Sequence, residues 1–147
     1  MDTQEEIKQL KKRIAELELA QEFPQQDNTY WYVDMRGNIF TSQWEGYPSE
    51  VAMLKFGNIF RTEDQAKFAV EKLKVEAELR KFSRPFEYGE NCTEFYYDHE
   101  FGRIMFCTLT ASQTQGAIYF ESKEKAQQAV STVGEERIKK YIFGVEE

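Results

Sequence analysis

The sequence feature that most constrains the fold is a strand–cap–helix corner that occurs twice. The segment Phe60-Arg-Thr-Glu-Asp-Gln-Ala66 aligns with Phe120-Glu-Ser-Lys-Glu-Lys-Ala126 at an offset of 60 residues. In each copy an aromatic residue ends a strand, a Thr or Ser accepts the first free helix N–H, and an Ala lets the helix lie close to a sheet. The preceding hairpin turns match as well, at an offset of 65 residues. The pattern predicts an internal duplication, with chance convergence of a common corner as the alternative.

The predicted fold class is α+β. An N-terminal coiled-coil helix is followed by two similar hairpin–strand–helix units, which form an antiparallel sheet with helices packed on it. Residues 1–23 are predicted to be the coiled-coil or oligomerisation helix and residues 29–147 the α+β domain. Within that domain the internal repeat covers residues 29–83 and 93–143.

The first copy is predicted to contain a hairpin over 29–44, a short helix over 49–56, a short strand over 57–61 and a long helix over 62–82. The second copy repeats the hairpin, a short strand over 117–121 and a helix. A helix that is apolar on two sides is buried on two sides, and the long helix has two such faces. One face is expected to meet the sheet, and the other the N-terminal helix or another subunit. One face carries Ala66, Ala69, Val70, Leu73 and Ala77. The other carries Phe68, Val75, Leu79 and Phe82.

The N-terminal helix carries a heptad pattern. Ile7, Leu10, Ile14 and Leu17 fall at the a and d positions, with Gln21 next in register. Ile at a with Leu at d favours a two-stranded parallel coiled coil, although the flanking charges also suit an antiparallel pair. The pattern predicts self-association into a dimer or higher oligomer. The alternative is that the stripe packs on its own domain.

Composition narrows the function classes. A net charge of −7 argues against non-specific binding to nucleic acid, which depends on clustered positive charge. Two cysteines and one histidine cannot complete a structural zinc site, and no glycine-rich phosphate loop occurs. His99 stands beside two carboxylates, but a polar turn residue is the simpler interpretation than a general base. We therefore expect no catalytic residues, no metal, no cofactor and no enzyme activity.

Aromatic residues and arginines are concentrated in the first hairpin and the connection after it. Such clusters anchor protein interfaces and stack on nucleobases. The candidate residues for binding a partner or ligand are Trp31, Arg36, Trp44, Tyr47 and Arg61. The alternative is that these residues belong to an ordinary core.

Three runs resemble a group of small accessory proteins encoded by phages and prophages of Gram-positive bacteria. They are Trp31-Tyr-Val-Asp-x-x-Gly-x-Ile, Gly57-Asn-x-Phe-x-Thr-x-x-x-Ala-x-x-Ala-Val-x-x-Leu-Lys, and Phe120-x-Ser-x-x-x-Ala-x-x-Ala through Gly134-Glu-Glu-Arg. The resemblance implies a phage protein made in the cytoplasm of a bacterial host, and it carries no catalytic residue across. The absence of an apolar run of about 20 residues predicts that the chain has no membrane span.

Two functions fit these features. The first is a non-enzymatic, self-associating phage accessory protein that binds a host or phage protein. The alternative is an oligomeric sponge that sequesters a nucleotide-type immune signal, with the aromatic residues stacking on the base and an arginine holding phosphate. A role in DNA binding and an enzymatic role are less favoured by the acidic balance and by the lack of a catalytic motif.

Overall fold

The computed structural model describes residues 2–20 and 22–146, with the side chains of residues 19 and 20 left aside. Over these ranges the chain is α+β, with five helices and two antiparallel sheets of two strands each. The predicted heptad position Gln21 lies outside the described residues. The elements are α1 (Thr3–Ala20), β1 (Thr29–Val33), β2 (Ile39–Gln43), α2 (Pro48–Lys55), α3 (Glu63–Arg80), β3 (Cys92–Asp98), β4 (Arg103–Leu109), α4 (Lys123–Val133) and α5 (Glu135–Tyr141).

Two compact units make up the chain. The first extends to Ala66 and the second begins at Lys67, so the boundary falls inside α3. The second unit therefore begins with most of a helix that the sequence assigns to the first repeat. The predicted division into 1–23 and 29–147, with its repeat, stays a prediction.

The first unit is organised around the β1–β2 hairpin. Its strands pair antiparallel, with Tyr30 opposite Ser42 and Val33 opposite Ile39. The turn is held by Asp34, whose Oδ1 accepts hydrogen bonds from the backbone N–H groups of Arg36 at 2.9 Å and of residue 38 at 2.8 Å. Gly37 has a φ of 83°, a value that L side chains rarely adopt. The predicted hairpin and the predicted short helix after it are thus confirmed.

The predicted strand over 57–61 is wrong. Only Phe60 pairs with the sheet, through two 2.9 Å backbone hydrogen bonds to Trp31. The amide side chain of Asn58 occupies the neighbouring position, since its Oδ1 accepts from Val33 N at 2.8 Å and its Nδ2 donates to Val33 O at 2.7 Å. A side-chain clamp therefore takes the place of the next ladder rung, and helix α3 begins too soon for another.

We expect Asn58→Ala to lower the free energy of unfolding of the first unit by about 1–3 kcal/mol, because it leaves the N–H and C=O of Val33 without their partner. Urea unfolding followed by tryptophan fluorescence reports this unit, since both tryptophans, Trp31 and Trp44, belong to it. Gln26→Ala, which removes an exposed side-chain hydrogen bond, is the control and should change little. Equal effects of the two substitutions would contradict the clamp.

The predicted strand over 117–121 is also wrong. Its residues make two isolated bridges on different partners, Tyr119 with Arg84 and Phe120 with Thr93. In each unit the hairpin therefore forms a two-stranded sheet, without the third strand that the sequence predicts. The two units nevertheless share one local pattern. In each unit, the first hairpin strand forms a bridge with the phenylalanine that lies two residues before a helix cap.

The second unit contains the larger core. Its hairpin pairs the seven residues of β3 with the seven of β4, and α4 packs against both strands. The buried cluster consists of Val75, Leu79, Ile104, Phe120, Ala126, Ala129, Val130, Val133 and Ile138. The C-terminal half of α3 therefore supplies part of this core.

Helix α3 does not bury both predicted faces along its whole length. Ala66 and Val70 of the first face are buried, but Leu73 is 62% exposed and Ala77 is also exposed. Val75, on the second face, is fully buried. Nine residues at about 100° each place Ala66 and Val75 on opposite sides of the helix. The buried face of the single chain thus changes partway along α3, and burial of Leu73 stays a prediction.

Candidate functional site

The heptad residues of α1 form an exposed apolar stripe, which we call the α1 seam: Ile7, Leu10, Ile14 and Leu17. Between 46% and 63% of each of these residues is exposed. The helix is capped by Asp2, whose Oδ1 accepts from Glu5 N at 2.8 Å. An isolated helix of this length is marginally stable in water, and most helical stability in proteins comes from packing an apolar face. Within the part of the chain that the structure describes, none of these four side chains is buried.

A second feature of the first unit is an open cavity of about 460 Å³ beside the hairpin, which we call the hairpin pocket. It is lined by Tyr30, Tyr32, Ser42, Gln43, Glu45, Tyr47, Ser49, Glu50 and Met53. Residues from β1, β2, α2 and the connection before α2 contribute to it. The connection between the hairpin and α2 therefore builds one wall of this pocket.

The register of the hairpin explains the aromatic wall. Tyr30 and Tyr32 lie two residues apart and so share one face of β1. Opposite them, Ser42 and Phe40 lie on the same face of β2. The rings of Tyr30 and Tyr32 have centroids 5.9 Å apart, and Tyr32 stacks on Phe40 at 5.8 Å. The pocket thus has tyrosine rings along the strand side.

Glu50 of α2 is the most unusual residue of the pocket. It is only 4% exposed, and its Oε2 accepts a hydrogen bond from the Tyr30 hydroxyl at 2.6 Å. Its Oε1 accepts from the backbone N–H groups of Tyr47 at 2.9 Å and of Glu45 at 3.1 Å. A buried carboxylate is costly unless it is hydrogen-bonded, and these three donors meet that requirement. Glu50 therefore joins the hairpin to the start of α2.

The ionisation of this pair follows from the same contacts. Burial raises the pKa of Glu50, but the hydrogen bonds from Tyr30, Tyr47 and Glu45 outweigh it, so the net pKa is lowered. Burial, followed by the hydrogen bond to Glu50, raises the pKa of Tyr30 to about 12. The pair is therefore a carboxylate bonded to a neutral phenol at neutral pH.

The aromatic candidates from the sequence divide between two faces. Tyr47 lines the hairpin pocket and is 61% exposed. Trp44 is half-buried and meets Tyr30 edge-on, with ring centroids 5.9 Å apart. Trp31 alternates with Tyr30 and Tyr32 along β1 and so lies on the opposite face of the hairpin. The expectation of an ordinary core suits Trp44 better than Tyr47.

The arginine candidates lie away from the hairpin pocket. Arg36 is exposed in the hairpin turn. The guanidinium of Arg61 lies 4.8 Å from the ring centroid of Phe23 and lines a smaller cavity of about 270 Å³. No arginine or lysine is among the residues that line the hairpin pocket. The structure therefore does not bring the five candidates together into one site.

Two residues that shape the hairpin pocket were missed from the sequence. Tyr30 was treated only as a strand former and Glu50 only as part of a short helix. The signal that could have found Glu50 is its position three residues after Tyr47, the spacing of a capping box at the start of α2. The bond from Tyr30, twenty residues away, has no local signature.

The remaining residues considered for catalysis or metal binding, His99 and the two cysteines, have the surroundings of structural residues. His99 is exposed and meets the ring of Tyr97 edge-on at 4.8 Å, in a turn whose N–H groups bond to Asp98. Cys92 and Cys107 are free, the first buried and the second half-buried. Over residues 2–20 and 22–146, no group of three or more His, Cys, Asp or Glu residues is placed to hold a metal ion.

The fold and the site define an α+β protein with an exposed apolar helix seam and an acidic, tyrosine-lined pocket. No family model matches this chain, and no curated protein or solved structure matches it. None of the described helices combines the length and the apolar character needed to cross a bilayer.

Proposed function

We propose that the protein is a non-enzymatic, self-associating binding protein of a phage, in which α1 joins two copies and the hairpin region of the first unit binds a host or phage protein. The observation that carries the proposal is the exposure of all four residues of the α1 seam. The phage setting and the bacterial cytoplasm are supported by the sequence resemblance alone.

The α1 seam gains free energy when a second copy covers it. Full burial of one such aliphatic side chain stabilises by about 1.5–3 kcal/mol, and about half of each is exposed in the single chain. A second α1 presents the same pattern, so the surface is complementary to itself. Pairing therefore buries aliphatic surface on both copies at once.

The charges beside the seam favour pairing as well. In the single chain Arg13 pairs with Glu16 of its own helix, at 3.7 Å, and both side chains are more than half exposed. Such exposed pairs contribute little to stability. Arg13 is therefore available to exchange Glu16 for a carboxylate of the partner helix, such as Glu18 in a parallel pair or Glu6 in an antiparallel one.

Replacing Leu10 and Ile14 together by Asp should abolish self-association, because it places four carboxylates in the seam of a dimer. Light scattering coupled to gel filtration should give the mass of one chain for this variant and of two or more for the unaltered protein. The control is the double variant Gln9→Asp and Ala15→Asp, which adds the same charge on the outer face of α1 and should keep the oligomer. A single-chain mass for the unaltered protein at every concentration would overturn the proposal.

The alternative function, a sponge for a nucleotide-type signal, is less well supported. An anionic nucleotide would need cationic side chains beside the aromatic rings. Arg36 and Arg61 lie elsewhere, while Glu45 and Glu50 line the hairpin pocket. The electrostatics of this pocket thus favour protein binding over capture of a phosphate-bearing ligand.

A further inference from the structure

The hairpin pocket has the composition of a site for a cation. Three tyrosines and two glutamates line it, and no lysine or arginine does. The negative face of an aromatic ring attracts ammonium and guanidinium groups, and a carboxylate adds direct charge complementarity. The uncharged residues Ser42, Gln43, Ser49 and Met53 complete the lining. Anions are repelled by this arrangement and cations are attracted.

The two carboxylates have different roles. Both oxygens of Glu50 are held by donors of the protein itself, so this residue supplies fixed negative charge at the base of the pocket. Glu45 is exposed, and its Oε2 accepts a hydrogen bond from the side chain of Gln26 at 2.7 Å. That bond orients the Glu45 carboxylate without neutralising it. Glu45 is therefore the group placed to form a direct ion pair with an incoming cation.

The tyrosine rings that line the pocket are also suited to contact with a long side chain. Tyr47 is 61% exposed, while Tyr32 is half-buried and fixed by its stacking on Phe40. A long aliphatic stem lies against such rings while its charged head reaches the carboxylate. Lysine and arginine are the side chains that combine such a stem with a positive head.

We propose that the hairpin pocket binds the ammonium or guanidinium end of a Lys or Arg side chain from a basic segment of the partner protein, with Tyr32 and Tyr47 as the ring faces and Glu45 as the counter-charge. This rests on the proposed function, and it specifies the chemistry of the partner. The net charge of −7 supports it, because an acidic protein attracts and orients a basic partner before contact.

The probe for this site is N-acetyl-lysine methylamide, compared with N-acetyl-norleucine methylamide, which has an alkyl side chain without the ammonium. In ¹H–¹⁵N NMR spectra we expect the lysine probe to shift the amide signals of Tyr32, Glu45 and Tyr47 saturably. The norleucine probe should bind at least about fivefold more weakly, and added salt should weaken only the lysine probe. Equal binding of the two probes, or shifts spread over the whole chain, would overturn the proposal.

Two variants test the named contacts. Tyr47→Ala should weaken binding of the lysine probe about two- to fivefold through the lost ring face, and Glu45→Gln, which can still accept from Gln26, should weaken it by a similar factor. The matched controls are Tyr88→Ala and Glu90→Gln, both exposed in the second unit. The same spectra show whether each variant is folded. Unchanged affinity in both pocket variants would overturn the assignment.

Two further readouts separate this inference from the proposed function. The Leu10→Asp and Ile14→Asp variant should still bind the lysine probe, because the α1 seam and the hairpin pocket share no residue. If the unaltered protein self-associates but the probe gives no saturable shift, only the cation site is refuted. Tighter binding of free spermidine than of a lysine-rich peptide would show a small-molecule site and would overturn the protein partner.

Discussion

Replacing Phe120 by alanine should destabilise the second unit by about 3–5 kcal/mol. The side chain is fully buried in the core of this unit and stacks on Phe95, with ring centroids 5.9 Å apart. Its backbone bonds to Thr93, at 2.8 and 2.9 Å, survive the substitution. The loss is therefore that of the ring contacts and of the cavity left behind, which a close-packed core fills only in part.

Urea unfolding followed by far-ultraviolet circular dichroism measures this loss. The matched control is Phe101→Ala, since Phe101 is 66% exposed in the β3–β4 turn of the same unit and its loss should cost less than about 1 kcal/mol. Tryptophan fluorescence recorded in parallel follows the first unit, where both tryptophans lie. A change below about 1 kcal/mol for Phe120→Ala would show that this ring does not organise the core.

The sequence predicted the helix caps that follow Phe60 and Phe120, although not the strands before them, because a cap is a local interaction. The predicted caps are confirmed: Thr62 Oγ1 accepts from Gln65 N at 3.1 Å, and Ser122 Oγ accepts from Lys125 N at 3.1 Å. A cap needs only a hydroxyl and an N–H three residues on, so a single sequence contains all of the information. The helices and hairpin turns could be predicted for the same reason.

The sequence could not predict how far the strands would extend. A strand forms only where a neighbouring backbone segment offers a series of hydrogen-bond donors and acceptors. At Asn58 a side chain takes that place, and at Tyr119 the pairing changes partner. Leu73 is exposed in the single chain although it shares a face with the buried Ala66 and Val70, because helical period shows which residues share a face but not which part of that face is covered. Such outcomes depend on residues distant in sequence.

The candidate site was predicted only in part. Tyr47 was identified as one of the aromatic residues concentrated in the first hairpin and the connection after it, and it does line the hairpin pocket. Arg36 and Arg61 were added because they are close in sequence, and they lie outside this pocket. The acidic character of the pocket comes from a carboxylate buried against a tyrosine of another element, and no sequence pattern expresses that pairing.

Replacing Glu50 by alanine should lower the free energy of unfolding of the first unit by about 3 kcal/mol. The change leaves the Tyr30 hydroxyl and two backbone N–H groups without their acceptor, and each buried group left unsatisfied costs about 1–3 kcal/mol. Glu22→Ala, an exposed position of the same unit, is the control and should change little. Tryptophan fluorescence during urea unfolding measures both.

The pH dependence of stability separates the charge of Glu50 from its shape. Because the pKa of Glu50 is lowered on folding, its carboxylate stabilises the folded state above the ordinary pKa, and that stability is lost as pH falls through the lowered value. The unaltered protein should therefore lose more free energy of unfolding between about pH 6 and about pH 3 than Glu50→Gln. Asp34 and Glu78, whose pKa values are also lowered, are common to both proteins and cancel in the difference.

Tyr30 gives the complementary effect in alkaline solution. Its pKa of about 12 exceeds the ordinary value of 10.0, so the unfolded chain loses this proton first as pH rises. Stability should then fall above about pH 10 in the unaltered protein and fall less in Tyr30→Phe, which cannot ionise. Combining Tyr30→Phe with Glu50→Gln completes a double-mutant cycle, and the two changes should not be additive because the residues share one hydrogen bond. Additive losses of free energy of unfolding would show that this carboxylate and phenol do not stabilise the hairpin as a pair. The same conclusion would follow if the free energy of unfolding of Glu50→Gln and of the unaltered protein fell equally in acid.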